Sequence, residues 1–199
     1  MLVVGIAGGT ASGKTTVVDQ IVEALGEERV CVLACDHYYR DLSQLPLSAR
    51  KDYNFDHPDA MDQQLLLEHL RQLKAGASVQ RPSYSFSASV RTEKTVTLKP
   101  APVIIVEGIL VLAIEALRRE YDLSIYVDSA DDLRLIRRIE RDTRDRGRSL
   151  EETVERYLRW VRPMHEAYVW PSMRKADLIV RNYRDPSAAI RLLIKALGG

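Results

Sequence analysis

A glycine-rich segment directly follows the first apolar run of the chain and limits what the rest can fold into. The run Leu2–Ala7 leads into Gly-Gly-Thr-Ala-Ser-Gly-Lys-Thr at positions 8–15, which matches the pattern G-x-x-x-x-G-K-[ST]. In this pattern the backbone N–H groups of the loop point inward around a phosphate chain. Residues 16–25 then repeat apolar side chains at helical spacing. The segment therefore predicts a phosphate-binding loop between a strand and a helix, with an ordinary glycine-rich turn as the alternative.

The phosphate-binding loop predicts a set of nucleotide contacts. Lys14 is expected to reach the β- and γ-phosphates, and the hydroxyl of Thr15 is expected to hold Mg²⁺. The helix that begins near Lys14 directs the positive end of its dipole toward the phosphates. The residues that we expect to contact the nucleotide are Gly8, Gly9, Thr10, Ala11, Ser12, Gly13, Lys14, Thr15 and Thr16.

Composition is that of an ordinary single-domain protein. The 199 residues are 46% hydrophobic and 29% charged, which is sufficient for a central sheet covered on both faces. A net charge of +1 gives no bulk attraction to nucleic acid or to an anionic membrane, so we expect neither as a partner. No apolar stretch approaches the ~20 residues that span a bilayer, so we expect a cytoplasmic protein. Cys31 and Cys35, which lie on a predicted strand, are expected to be buried and reduced.

Two predicted buried strands end in a carboxylate. Residues 30–35 form an apolar run that leads to Asp36, and the β-branched run 103–106 leads to Glu107. Because open α/β sheets bind ligands at the carboxyl ends of their strands, Asp36 is a candidate general base, with a helix N-cap as the alternative. An acid that follows an apolar strand beside a phosphate loop is the Walker B arrangement. In that arrangement Glu107 holds or orients Mg²⁺ and its water.

The next part of the chain predicts a loop followed by a helix. The loop includes Asn-Phe-Asp-His-Pro-Asp-Ala at 54–60, for which a turn is the simplest interpretation. An amphipathic helix is predicted at 61–73, with Asp59 or Asp62 placed to cap it. His69 on this helix is expected to be a partly exposed surface residue.

Residues 78–98 predict a β-hairpin that protrudes from the main sheet. Two short β-type runs are separated there by small polar residues. The aromatic residues Tyr84 and Phe86 share one face of the hairpin, because they are two positions apart. They either pack on the body of the protein or form a wall for a planar ligand, and their spacing alone favours packing.

The second half of the chain continues the alternation of strands and helices. Periodicity predicts helices at 112–120, 150–169 and 187–197, and strands at 123–128 and 177–180. Pro163 is expected to kink or break the second of these helices. The alternation predicts an α/β fold of one domain, with a doubly wound parallel sheet of the P-loop NTPase type.

Arginine residues are concentrated between positions 134 and 148. Arg134, Arg138 and Arg141 fall at i, i+4 and i+7, so one helical face carries three guanidinium groups. The interleaved acids favour a salt-bridged, exposed helix as the alternative. Beside a phosphate loop, we interpret this segment with Arg146 as a lid at about 138–150. Such a lid closes over the nucleotide, neutralises charge on the transferring phosphoryl group and excludes water.

Several motifs together resemble the uridine kinase family, also called uridine–cytidine kinases. These motifs are Gly8 to Thr15, Asp36-His37-Tyr38-Tyr39, Asn54 to Ala60, Glu107-Gly108-Ile109, and Arg137 to Asp142 with Arg146-Gly147-Arg148. The resemblance extends from about residue 3 to about residue 180. It implies ATP-dependent phosphorylation of the 5′-hydroxyl of a pyrimidine ribonucleoside, uridine or cytidine, in pyrimidine salvage. It also implies Mg²⁺, ATP as the donor with GTP as an alternative, and a homotetramer inhibited by pyrimidine triphosphates.

The resemblance implies roles for residues at the strand ends and in the loop after them. Asp36 matches the general base of the family and is a further candidate at the metal. Asp56 matches the residue that holds the ribose hydroxyls, and Tyr39 lines the same pocket. The residues that match the phosphate and Mg²⁺ positions are Lys14, Thr15 and Glu107.

The resemblance also bears on the hairpin and the arginines. Tyr84 and Phe86 match aromatic residues that hold the base, which reverses the packing interpretation given above. Arg91 lies near the end of the same hairpin motif, without an assigned role. Ser89 and Arg156 stand where many members have a histidine and a glutamine that read the pyrimidine edge, so the choice between uridine and cytidine stays open. The arginines that match those clamping sugar and phosphate are Arg138, Arg141 and Arg146.

Two alternative functions remain open from the sequence. One is another small-molecule kinase of the same fold, such as a phosphoribulokinase-like enzyme. The other is a nucleotide-binding switch that changes shape with ATP and phosphorylates no metabolite. Asp36 separates the kinases from the switch, because a switch needs neither a base facing the γ-phosphate nor a separate acceptor pocket.

Overall fold

A five-stranded parallel sheet forms the centre of the computed structural model, which describes residues 1–198. The strands in chain order are β1 Leu2–Ala7, β2 Val30–Ala34, β3 Val79–Ser85, β4 Val90–Leu98, β5 Val103–Glu107, β6 Leu123–Asp128 and β7 Leu178–Arg181. The order in the sheet is β2-β5-β1-β6-β7. The register places Glu107 opposite both Ile6 and Ala34. The carboxyl ends of β1, β2 and β5 therefore meet at the same edge of the sheet.

Helices cover both faces of this sheet. The longer helices are α1 Lys14–Leu25, α2 Gln63–Lys74, α3 Asp131–Asp145, α4 Leu150–Arg156 and α5 Ser187–Ala196. The shorter elements are helices at Leu47–Lys51 and Glu115–Arg118 and 3₁₀ turns at Cys35–Tyr38 and Pro58–Ala60. Helices α1 and α5 share one apolar cluster with the sheet, and α2 belongs to the cluster on the opposite face. The predicted α/β fold with a doubly covered parallel sheet is confirmed.

The inner strands are apolar on both faces because both faces are covered. Val103, Ile104, Ile105 and Val106 of β5 are each at most 3% exposed. A run of β-branched residues suits a buried parallel strand, since each side chain packs against a helix layer. Within the described residues, no helix is both long and apolar enough to cross a membrane.

The predicted hairpin is confirmed as a separate two-stranded sheet formed by β3 and β4. Arg91 of β4 holds this hairpin against the body of the protein. Its Nε donates to the carbonyl oxygen of Tyr39 at 2.8 Å, and its Nη2 donates to Oδ2 of Asp62 at 3.1 Å. Asp62 also caps α2 by accepting from the backbone N–H of Leu65 at 3.2 Å. Of the two predicted caps, Asp62 is therefore the one that fills the role.

Two predicted helices differ from the structure. Instead of a helix at 112–120, one helical turn at Glu115–Arg118 follows a turn in which Leu110, Val111 and Leu112 are all fully buried. The segment 150–169 is not broken at Pro163. The helical path continues through π-helical turns at Tyr157–Val161 and His165–Val169 and short α-helical pieces at Arg162–Met164 and Trp170–Ser172, to a 3₁₀ turn at Met173–Lys175.

The π-helical turns explain how two prolines are accommodated in this segment. Pro163 and Pro171 each lie just after one of these turns. A proline lacks the N–H for the regular helical bond and its ring crowds the preceding turn. The wider π turn moves that preceding carbonyl away, so the helix continues without a break.

Two further sequence expectations concern the residues near Asp36. The strand β2 ends at Ala34, so Cys35 opens the 3₁₀ turn and does not share a strand with Cys31; both thiols are free and buried, as expected. The prediction that His69 lies at the surface is wrong. His69 is only 8% exposed, and its Nδ1 lies 3.0 Å from the hydroxyl oxygen of Tyr38. A contact with the distant 3₁₀ turn buries it, which helical periodicity alone does not reveal.

The Tyr38–His69 hydrogen bond gives a stability prediction. In Tyr38→Phe, Nδ1 of His69 stays buried without this partner, so we expect the free energy of unfolding to fall by about 1–3 kcal/mol. Urea denaturation measures the change. The matched control is Tyr121→Phe, whose hydroxyl donates to Val111 over a longer 3.4 Å. Equal losses in the two variants would contradict a specific role for the His69 contact.

Candidate active site

The phosphate-binding loop connects β1 to α1 and has the backbone geometry of an anion site. Gly13 has a φ of 93°, and a Cβ there would overlap Nδ2 of Asn182. That Nδ2 donates to the carbonyl oxygen of Ser12 at 2.8 Å, which ties the loop to the segment after β7. Helix α1 begins directly after Gly13 without a side-chain cap. Its first N–H groups are therefore available to an anion.

Lys14 is buried at the base of the loop. Its Nζ donates to the carbonyl oxygens of Gly8 and Gly9, at 3.0 Å in each case. Burial lowers the pKa of Lys14, while the nearby carboxylates of Glu107 and Asp36 oppose this shift. The lysine is thus held in place by the loop it serves, next to two acids.

A cavity of about 340 Å³ opens between the loop, the hairpin and α3. Gly8, Gly9 and Ser12 belong to the loop but lie behind the cavity wall: the two glycines accept from Lys14, and Ser12 is fully buried. The other predicted site residues all line the cavity: Thr10, Ala11, Gly13, Lys14, Thr15, Thr16, Asp36, Tyr39, Asp56, Tyr84, Phe86, Ser89, Glu107, Arg138, Arg141, Arg146 and Arg156.

Two carboxylates lie at the end of the cavity nearest the sheet. Glu107 is the last residue of β5, and Asp36 lies in the 3₁₀ turn that follows the neighbouring strand β2. Burial raises the pKa of Glu107 to about 7, with Lys14 opposing the shift and Asp36 adding to it. Glu107 therefore exchanges its proton near neutral pH, and a divalent cation beside it would compete with that proton.

Aromatic side chains form the opposite end of the cavity. The ring of Tyr39 lies edge-on to Phe55 and to Tyr84, with ring centroids 5.2 and 5.5 Å apart. Tyr84 also contacts Phe86 at 5.6 Å. Tyr84 is 8% exposed and Phe86 is 40% exposed, so the first packs into the cluster while the second presents its ring at the surface. The packing favoured by the spacing therefore holds for Tyr84, while a ligand-binding wall stays a prediction.

Asp56 and Arg156 lie between the aromatic end and the arginines. Burial raises the pKa of Asp56, Arg138 opposes this shift, and Asp36 adds to it. Nη2 of Arg156 donates to the carbonyl oxygen of Tyr53 at 3.5 Å. A half-buried carboxylate that lines the cavity is suited to accept hydrogen bonds from ligand hydroxyl groups.

The arginines of the cavity surround a fully buried carboxylate, Asp142. Nε and Nη2 of Arg141 donate to its Oδ1 at 2.9 and 2.7 Å, and Nη1 of Arg148 donates to its Oδ2 at 2.8 Å. Arg138 and Arg146 approach the same carboxylate at 3.7 and 3.6 Å. We call these four arginines with Asp142 the arginine cluster.

Arg134 does not share the position of Arg138 and Arg141, although the three are spaced for one helical face. It is 2% exposed and lies behind the loop, with its guanidinium against Gly9. It donates to the carbonyl oxygen of Ser129 at 3.2 Å and contacts Nε2 of His165 at 3.0 Å. These contacts place it outside the cavity that Arg138 and Arg141 line.

Sequence reasoning missed several residues of the cavity. Phe55 and Arg148 lie within motifs that carried the resemblance, so those motifs were the available signal for both. Arg137 also lines the cavity, and it lies in the same motif. Asp142, behind the cavity, belongs to that motif too, but it was given no role beyond being one of the acids that favour an exposed helix. Arg91 had no assigned role, and the structure places it at the junction of the hairpin with Tyr39.

The fold and the cavity together define a class of protein. One cavity joins a phosphate loop at the centre of a parallel sheet to a group of aromatic side chains with a separate carboxylate, Asp56, as in a kinase that acts on a small molecule. The model of the phosphoribulokinase / uridine kinase family matches residues 3–189. The chain belongs to this family.

Individual relatives agree with the family model. The chain is 48% identical over 178 residues to a uridine kinase of Chloroflexus aurantiacus. The aligned region covers 89% of the chain and 85% of the relative. It is 44% identical to a uridine kinase of Lactobacillus johnsonii, over 96% of the chain and 92% of the relative. A putative fructose transport system kinase from Silicibacter has a TM-score of 0.70 at 23% identity, over 89% and 88% of the two chains. That last likeness concerns the fold alone.

The raised pKa of Glu107 gives a prediction about stability and pH. Its folded pKa of about 7 lies above the ordinary value of 4.5. The protonated carboxyl group therefore contributes its full share to the free energy of unfolding below pH 4.5, and this share is lost as pH rises to 7. In metal-free buffer, the free energy of unfolding of Glu107→Gln should therefore rise by about 3 kcal/mol relative to that of the wild type between pH 4 and pH 8. Chemical denaturation across this pH range measures the difference.

Glu120 provides a control of opposite sign. Hydrogen bonds from Lys74 and Arg71 lower its pKa, so Glu120→Gln should lose stability relative to the wild type as pH rises. If Glu107→Gln follows the wild type at every pH, Glu107 titrates normally and is not buried beside Asp36 as the structure has it.

Proposed function

We propose that this protein transfers the γ-phosphoryl group of ATP to the 5′-hydroxyl of a pyrimidine ribonucleoside, uridine or cytidine, to give the monophosphate in pyrimidine salvage. The observation that carries the proposal is one continuous cavity with a phosphate loop at one end and an aromatic, carboxylate-containing pocket at the other. The relatives from Chloroflexus aurantiacus and Lactobacillus johnsonii are both named uridine kinase, which supports the same acceptor. A neutral ribonucleoside suits the aromatic end, since its base can pack on the rings and its hydroxyl groups can donate to Asp56.

Asp36 is the proposed general base. It lies in the cavity with Lys14 and Glu107, on the turn that continues into Tyr39. In this proposal the carboxylate faces the 5′-oxygen of a nucleoside bound in the acceptor pocket. Accepting the proton of that hydroxyl as the oxygen attacks the γ-phosphorus is the usual role of an aspartate in phosphoryl transfer.

Mg²⁺ is the proposed metal, held by Thr15 and Glu107 with Asp36 as a further ligand. The donor set fits, because a hydroxyl and carboxylates are the oxygen ligands that Mg²⁺ prefers. No group of three or more His, Cys, Asp or Glu residues that could hold a metal occurs in residues 1–198. Mg²⁺ does not need one, since it usually takes one or two carboxylates and completes its shell with phosphates and water. When bound, the ion would neutralise charge between the phosphates.

The arginines are proposed to act on the transferring group from the other side. Arg138, Arg141 and Arg146 line the cavity, and Nη1 of Arg138 donates to Oγ1 of Thr10 in the loop at 2.8 Å. Guanidinium groups fixed in a water-poor site stabilise charge that spreads over the equatorial oxygens during transfer. We propose that the segment of about 138–150 closes over the nucleotide as a lid of the single domain 1–199.

The acceptor range and the assembly are parts of the same proposal. Ser89, which has a φ of 55°, and Arg156 line the acceptor end. The proposal covers both uridine and cytidine as acceptors. ATP is the proposed donor, with GTP as the alternative. A homotetramer in the cytoplasm, as the family resemblance implies, completes the proposal.

An acceptor panel tests the function directly. The purified protein is assayed with ATP and Mg²⁺ against uridine, cytidine, their 2′-deoxy forms and ribulose 5-phosphate, with detection of the phosphorylated product. We expect transfer to at least one of the two ribonucleosides. Transfer to ribulose 5-phosphate alone would favour the phosphoribulokinase-like alternative, and ATP binding without transfer to any acceptor would favour a nucleotide-binding switch.

The role of Asp36 gives the second prediction of this section. Asp36→Asn keeps the size of the side chain but cannot accept the proton, so kcat should fall by about 100-fold or more. The affinity for ATP, measured by titration with a non-hydrolysable analogue, should stay within about threefold. The control is Asp59→Asn, because the side chain of Asp59 is 86% exposed outside the cavity. Normal turnover of Asp36→Asn would remove Asp36 as the base.

A further inference from the structure

Asp142, which lies behind the arginines of the cavity, has no function in the proposed chemistry. Its side chain is 0% exposed, in a helix whose other acids mostly face solvent. The closest of its partners, Arg141 and Arg148, donate to its two oxygens from opposite sides at 2.7 to 2.9 Å. The backbone N–H of Arg148 also donates to the carbonyl oxygen of Asp142 at 3.1 Å. Residue 142 thus joins the end of α3 to the segment that follows it.

The charge of Asp142 is maintained by the cluster around it. Burial alone raises the pKa of this carboxyl, but Arg138, Arg141 and Arg146 outweigh that effect and leave the pKa lowered. The four arginines would repel each other without a shared anion, because like charges a few ångströms apart interact strongly at a site of low polarity. One carboxylate therefore determines how four guanidinium groups are arranged.

The arginine cluster reaches both ends of the cavity. Arg138 donates to Oγ1 of Thr10 in the phosphate loop at 2.8 Å. The guanidinium carbon of Arg146 lies 5.3 Å from the ring centroid of Phe86 at the aromatic end. A change in the orientation of the cluster therefore alters the contacts of the donor end and of the acceptor end together.

We propose that Asp142 is a positioning residue for phosphoryl transfer, which holds the arginine cluster in the single orientation that serves both ends of the cavity. Because it concerns the arginines of the kinase reaction, this inference rests on the proposed function. Asp142 touches neither substrate. It acts through Arg138, Arg141 and Arg146, whose displacement by about 1 Å is enough to reduce the rate of a positioned reaction by 100-fold.

A positioning role differs measurably from a purely structural one. Asp142→Asn has nearly the same shape but lacks the negative charge. We expect kcat to fall by about 100-fold, while the Kd of a non-hydrolysable ATP analogue stays unchanged or decreases. The analogue is a polyanion, and the substitution removes a negative charge from its surroundings. A structural role predicts instead less folded protein, with normal kcat per folded molecule.

Asp145 provides a matched control one turn nearer the end of α3. It is exposed and pairs with Arg144, whose Nε donates to its Oδ1 at 2.7 Å. Asp145→Asn removes the same charge from the same helix, and its kcat and Kd should stay within about twofold of the wild type.

A second readout uses the protein without nucleotide. Phenylglyoxal modifies arginines, and it reacts faster with guanidinium groups that lose a neighbouring anion. Mass spectrometry should show faster modification of the arginines between 138 and 148 in Asp142→Asn than in the wild type or in Asp145→Asn. If Asp142→Asn is not recovered folded, Asp142→Glu replaces it, with the carboxylate kept but displaced. We then also expect a loss of turnover without a loss of nucleotide affinity, with kcat reduced at least tenfold and the Kd of the ATP analogue unchanged.

The outcomes separate the two proposals. A wild-type protein that phosphorylates no nucleoside overturns the proposed function. An active wild type with an equally active Asp142→Asn, or with Asp142→Glu fully active where Glu is the variant used, overturns the positioning role alone. A variant whose analogue Kd rises as much as its kcat falls also overturns it, because Asp142 would then support nucleotide binding in general. Unchanged phenylglyoxal reactivity would show that the carboxylate does not hold the cluster.

Discussion

The buried ammonium group of Lys14 is the interaction on which the candidate site depends. A buried cation is stable only when hydrogen bonds and nearby charges replace the water it has lost. The loop supplies two carbonyl acceptors, and the acids Asp36 and Glu107 supply the charges. The sheet order β2-β5-β1 brings those acids to the lysine, because it places the ends of three strands side by side. The strand order of the sheet thus provides the negative charges that stabilise the buried lysine.

The donor end of the site and the sheet were predictable because their signals are local. A phosphate loop after an apolar strand, and an acid at the end of an apolar run, are read from adjacent residues. Asp36 and Glu107 were both predicted in this way, and both line the cavity with Lys14. The hairpin was also predicted within its bounds, since two short β-type runs and the turn between them lie close together in the sequence.

The remaining features were not predictable because they depend on contacts between distant segments. His69 is buried by Tyr38, which lies in a turn 31 residues earlier. Asp142 and Arg138 are spaced as an ordinary surface ion pair on a helix, and the sequence does not show that other segments bury that pair. Pro163 indicated a kink or a break, and the helical path continues through it by way of π-helical turns. In each case a local pattern was read correctly, and tertiary packing determined the outcome.

The two ends of the cavity recognise their ligands by different forces. Seven cationic side chains and three acidic ones line it, and the excess positive charge suits the phosphate chain of a nucleotide. A neutral nucleoside gains little from that excess. In the proposed function, its affinity comes from ring contacts with Tyr84 and Phe86 and from hydrogen bonds to Asp56. Because Arg138 contacts the phosphate loop and Arg146 contacts Phe86, the arginine cluster is one physical connection between the two ends. The orientation of that cluster is therefore as important to the proposed reaction as the residues that touch the substrates.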